Sequence, residues 1–112
     1  MTGCIVTVTD TGINAYNHVG NTWLCAQVTA MMQYCMYTLH AAGALGSYDI
    51  QPGTADDAPV FRIEATGTFR ELDILRYLQD GMLLSLRLMR DTIRKDGLLH
   101  ISDLRRGYDV PG

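Results

Sequence analysis

Two different hydrophobic periods alternate along the chain. Cys4-Ile-Val-Thr-Val-Thr9 sets Cys4, Val6 and Val8 on one side and Ile5, Thr7 and Thr9 on the other, the period and β-branched content of a strand. Asp10-Thr11-Gly12 supplies turn chemistry, and Ile13 to His18 resumes the alternation, which predicts an opening β-hairpin with Asn14, Tyr16 and His18 on one face. Gly20-Asn21-Thr22 then breaks the pattern, and Trp23 to Ala42 runs without Gly or Pro up to Gly43, which predicts a helix capped by Asn21 or Thr22. Within it Met31, Leu24, Cys35, Val28, Leu39, Met32, Cys25 and Met36 fall, in that order, across a sector of roughly 140°. Cys35 lies near the middle of this stripe and Cys25 toward one edge, in the first turn.

Ser47–Gln51 and Val60–Thr66 read as a second pair of strands, separated by the Pro52-Gly53 turn and the Thr54–Asp57 loop. In the latter strand Phe61, Ile63 and Ala65 form the inward face. From Thr68 to Lys95 the period is helical again, with Thr68 and Glu71 in the spacing of a capping box. Ile74, Leu75, Leu78, Met82, Leu86, Leu88, Met89 and Ile93 form its expected apolar stripe, while Leu72, Leu83 and Leu84 fall on the charged side. Beyond Lys95 the sequence predicts a tail with a helical turn at Ser102–Leu104. The order ββαββα favours an α+β fold in which two helices pack on an antiparallel sheet in two layers. At 112 residues one core is expected, with a domain spanning 1–112, its core 3–95 and its tail 96–112.

Charge alters this picture in one respect. Residues 1–61 contain no Lys or Arg, and all nine basic residues lie between Arg62 and Arg106, while eight of the twelve acidic residues lie beyond residue 61, for a net charge of -3. Neither half has the clustered excess of positive charge that phosphate binding requires, so no nucleic-acid partner is expected. The longest apolar segment is interrupted by Gln27, Gln33 and His40, which argues against a membrane span, and no basic start followed by an apolar run suggests export. Three cysteines at irregular spacing fit reduced thiols in a cytoplasmic protein better than a disulfide framework.

The candidate chemistry lies in His18-Val-Gly-Asn-Thr-Trp-Leu-Cys25. A strand ending at His18 and a helix beginning near Cys25 allow the two side chains to face one another across a short connection. A helix N-terminus favours a thiolate, and an imidazole beside it acts as general base or as the cation of an ion pair. The alternative is structural, since cysteine is among the most buried residue types; Cys35 fits that description, and His40 and His100 fit a helix C-terminal charge and a surface residue. A metal site from His18, Cys25 and a further cysteine has no recognised ligand spacing, and no metal or cofactor is expected.

The segment Gly20-Asn-Thr-Trp-Leu-Cys-Ala-Gln-Val-Thr-Ala30, preceded by His18, resembles the bacterial Prp ribosomal-processing cysteine proteases. Gly20 stands for the loop glycine of that family, Trp23-Leu24 for its apolar pair, Cys25-Ala26 for the nucleophile and its neighbour, and Val28-Thr29-Ala30 for the helix signature. The resemblance implies a small ββαββα domain, usually a homodimer, with Cys25 as nucleophile, His18 as base, and Gly20, Thr22 and Thr29 as supporting residues. It further implies a protein substrate, from which a short N-terminal segment is removed: a ribosomal protein or, for phage relatives, a capsid or scaffold precursor. Asn17 stands where the family has glycine, Thr22 where it has aspartate, and the loop between His18 and Cys25 is several residues shorter. These differences support a second expectation, a non-catalytic dimeric binding or assembly module.

Overall fold

A computed structural model of the chain describes residues 4–16, 22–51, 60–93 and 99–106, the side chains of Thr22, Trp23 and Ile93 excepted. The elements are β1 (Cys4–Val8), β2 (Gly12–Tyr16), α1 (Thr22–Ala41), β3 (Leu45–Gln51), β4 (Val60–Ala65), α2 (Phe69–Ile93) and β5 (Leu99–Asp103). The five strands form one sheet in the order β3-β4-β2-β1-β5. The expected α+β order ββαββα is present, and β5 is added to it. Because β5 runs parallel to β1 while the other pairs are antiparallel, the sheet is mixed.

Strand parity decides which side chains enter the core. Val6 lies opposite Ala15 and Val8 opposite Ile13, and Ile13 in turn lies opposite Ile63 on β4. These residues are buried together with Leu24, Val28, Met32, Cys35 and Leu39 of α1 and Leu75, Met82, Leu83 and Leu86 of α2. The other sheet face is polar. There Asn14 and Tyr16 are half-buried and the Arg62 guanidinium stands 5.5 Å from the centre of the Tyr16 ring, a cation–π contact.

Close approach explains one glycine. A Cβ on Gly12 would fall 2.3 Å from the Ile63 carbonyl oxygen, so only glycine allows β2 and β4 to pair at this point. At the end of α1 Gly43 adopts φ 70°, its N–H donates to the His40 carbonyl, and the Ala44 N–H donates to the Leu39 carbonyl. This is the Schellman pattern, which satisfies the last helix carbonyls and turns the chain into β3.

Three expectations are corrected. Ser102 and Asp103 belong to strand β5, not to a helical turn. Leu99 and Ile101 pack inward from β5, where parallel pairing with β1 holds them. Leu83, expected on the charged side of α2, is 2% exposed, whereas Leu88, expected in the apolar stripe, is 68% exposed. At 100° per residue Leu88 lies roughly 140° around the helix from Leu75, on the side away from the sheet. Of the capping box, Thr68 accepts the first helical bond, from the Leu72 N–H, but the Glu71 Oε2 atom is buried without a hydrogen-bond partner.

A polar network locks the tail onto this framework. Gln79 of α2, fully buried, donates through Nε2 to the carbonyls of Thr9 (2.8 Å) and Gly12 (2.9 Å) in the first hairpin turn. Arg105, just past β5, bonds Asp80 of α2 at 2.7 Å and Asp103 at 2.8 Å, with its side chain 6% exposed. The bond from Arg105 is the main cause that holds the Asp103 carboxyl below its ordinary pKa. A lowered carboxylate pKa stabilises the fold above the unfolded-state value, and this contribution is lost as pH falls through the folded-state value. We therefore expect Arg105→Met to cost about 1–2 kcal/mol near neutral pH, since both carboxylates are partly solvated. Urea titrations of the two proteins should show that difference shrinking below about pH 4.

Candidate thiol site

Helix register sets the position of Cys25. With Leu24 and Val28 buried against the sheet, Cys25 is turned to the edge of the stripe, where it is partly exposed yet packs against the core. Cys35, one face-width away, is buried at the centre, as its place in the stripe predicts. Thr29, one turn beyond Cys25, is exposed on the same flank, and the first turn of α1 contains no acidic residue to oppose a thiolate. Thr22 is the first helical residue. His18 and Gly20 lie outside the described residues, as do Asn17 and the Asn21 alternative for the cap.

The three thiols are chemically unequal. Burial pushes Cys35 up to about 11. Cys4 is also pushed up to about 11, first by burial and then by the negative charge of Cys25. The parity of Cys4 with Val6 and Val8 turns it inward. Among the described residues no group of three or more His, Cys, Asp and Glu could hold a metal ion.

Two of the arginines are engaged elsewhere. Arg62 stands over Tyr16 on the far face of the sheet, and Arg105 is paired with Asp80 and Asp103. A groove of about 440 Å³ runs between α1 and α2, with Met31, Cys35, Leu78 and Met82 in its lining and Tyr34 and Tyr77 exposed at its rims. It follows the Met31 edge of the α1 stripe, and Cys25 occupies the other edge. The groove is therefore separate from the thiol.

No protein-family model matches the sequence, and no curated protein matches it. Solved structures do. The SMU.848 protein from Streptococcus mutans superimposes with a TM-score of 0.68 at 11% identity, covering 94% of this chain and 97% of that one. The essential ribosomal processing protease Prp from S. aureus, in complex with a covalently linked product peptide, gives 0.61 at 18% identity over 92% of this chain and 99% of its own. Its complex with a substrate peptide gives 0.58 at 16% identity, over 95% and 100%.

These placements rank the thiols by reactivity. Native alkylation with iodoacetamide near neutral pH, read by peptide mass spectrometry, should label Cys25 well before Cys4 and Cys35, whose thiols are buried and almost entirely protonated. Equal rates at all three would contradict the geometry. At these identities the likeness is one of architecture, and across nearly its whole length the chain has the fold of the Prp protease.

Proposed function

We propose that the protein is a cysteine endopeptidase that removes a short segment from a specific protein partner, with Cys25 as nucleophile and His18 as general base. The observation that carries this reading is the position of Cys25: a partly exposed thiol in the first turn of α1, on a fold shared with a protease whose product is bound covalently to it. In the reaction the Cys25 sulfur attacks the scissile carbonyl, and His18 passes the thiol proton to the departing amine. Water then releases the acyl group from the thioester. Thr22, Thr29 and Gly20 are the supporting residues of this site. The substrate is an N-terminal extension on a ribosomal protein or a phage capsid or scaffold precursor, and reduced thiols suit a cytoplasmic setting.

A second reading is favoured by one surface. Tyr77, Gly81, Leu84 and Leu88 follow one exposed side of α2, and Tyr34 and Tyr37 face outward from α1. Leu72 and Leu83, which the sequence places on the charged side of α2, instead pack against the core. The outward row suits a second copy of the chain, and a dimeric assembly module would need no reactive thiol.

One experiment separates the two. Candidate ribosomal and phage precursors are incubated with the wild-type chain and with Cys25→Ala, and the molar mass of each is measured by light scattering. A peptidase cuts one precursor near its N-terminus, and Cys25→Ala abolishes the cut while leaving the molar mass unchanged. Cleavage that survives in Cys25→Ala sinks the assignment. A dimer that binds a precursor without cutting it supports the assembly module.

A further inference from the structure

Two apolar side chains on the helix-covered face of the sheet are left open. On β3, Tyr48 lies opposite Ile63 and Ile50 lies opposite Phe61. Residues directly opposite in an antiparallel pair share a face, and here Ile63 is fully buried while Phe61 packs against the core. Tyr48 and Ile50 therefore point toward the helix layer, yet they are 61% and 49% exposed. The helices stop short of this edge of the sheet, and Tyr48, Ile50 and Phe61 form an apolar shelf in the angle between β3 and α1.

Helix register sets Cys25 on the wall of that angle. α1 packs on β2, β3 and β4, and α2 reaches β5 at the opposite edge. The groove against α2 takes Gln27, Met31 and Tyr34 from α1. At 100° per residue Cys25 and Thr29 lie roughly 120° and 160° around the helix from Met31, so their flank faces away from α2 and toward the β3 edge. After the Gly43 turn β3 runs back along α1, about 20 Å from Leu45 to Gln51. Cys25 lies about 24 Å before the end of α1 by helix rise, so the Ile50 end of the shelf comes within about one helical turn of its level.

We propose that Tyr48, Ile50 and Phe61 hold the segment that is cut, seating its apolar side chains beside Cys25; this rests on the peptidase reading above. Tyr48 and Ile50 stand about 7 Å apart along one strand, the repeat at which an extended peptide presents side chains to one side. The occupant is thus an extended segment with apolar residues at alternate positions. No shelf residue is charged, so a charged side chain seated there loses water without gaining a partner. Asp49, between the two, belongs to the other face, where its carboxylate accepts a bond from Gln51 Nε2 at 3.1 Å.

The probes are two chloromethyl ketones of a short peptide, one with leucines at alternate positions and one with serines there, and iodoacetamide as a small reagent. Labelling of Cys25 in the full chain is followed by peptide mass spectrometry, so no precursor is required. We expect the leucine probe to label Cys25 about tenfold faster than the serine probe, the preference that two half-buried leucines provide. A chain carrying Tyr48→Ser and Ile50→Ser, checked for folding by circular dichroism, should lose that preference and keep the wild-type rate with iodoacetamide. Leu88→Ser, which alters an exposed leucine of α2, should behave as wild type. The inference is overturned if wild type takes both peptide probes equally, or if the preference survives in the double variant. It is also overturned if the double variant halves the molar mass of a dimer, which makes a second copy the occupant. A chain that shows the preference but cuts no precursor keeps the shelf as a peptide site and refutes the peptidase. A chain that cuts its precursor equally well without Tyr48 and Ile50 keeps the peptidase and refutes the shelf.

Discussion

The candidate site depends on how one side of α1 is buried. Leu24, Val28, Met32, Cys35 and Leu39 all enter the core, and together they allow the helix one rotation about its axis. Truncating one large buried side chain of this kind costs about 2–5 kcal/mol, so a turn of 100° that exposed several at once is prohibited. Cys25 inherits its place from this constraint. One residue after Leu24, it can be neither fully buried nor fully free, and a first-turn position adds the unpaired N–H groups of a helix start. A hydrophobic requirement thereby fixes the place of a polar reagent.

A second constraint acts at the opposite end of the sheet. Gln79 satisfies two carbonyls of the β1–β2 turn, and Arg105 joins Asp80 on α2 to Asp103 at the end of β5. The Arg106 N–H also donates to Asp10 in that same turn. Hairpin, helix and tail are thus held by charge-assisted and buried bonds that are costly to leave unmade. The tail consequently adds a strand to the sheet and covers Leu83. Among the described residues no comparable cover reaches the outward row at Tyr77, Leu84 and Leu88.

Local periodicity was enough to read most of the fold. The α1 stripe, its cysteine order, the inward residues of β1 and β4 and both helix spans were legible because each is set by neighbours three, four or two residues away. What was not legible depended on distant partners. The pairing of β5 with β1 joins residues nearly a chain length apart, and Leu99-His-Ile-Ser-Asp103 is too short to declare itself a strand without that partner. The Leu83 and Leu88 assignments failed for a related reason. Leucines surround α2, so the pattern alone does not show which side the sheet and β5 will cover. At the site, Cys25 could be read as a thiol at the edge of a helix.

The functional account rests on a thiol that shares its proton with an imidazole. Cys25 is partly exposed in the first turn of α1, and the fold is shared with the Prp protease from S. aureus. The most direct measurement is the titration of His18 by NMR in the wild-type chain and in Cys25→Ala. An ion pair of thiolate and imidazolium stabilises the charged form of each, so removing Cys25 should lower the pKa of His18. Identical titration curves for His18 in the two proteins would contradict the dyad.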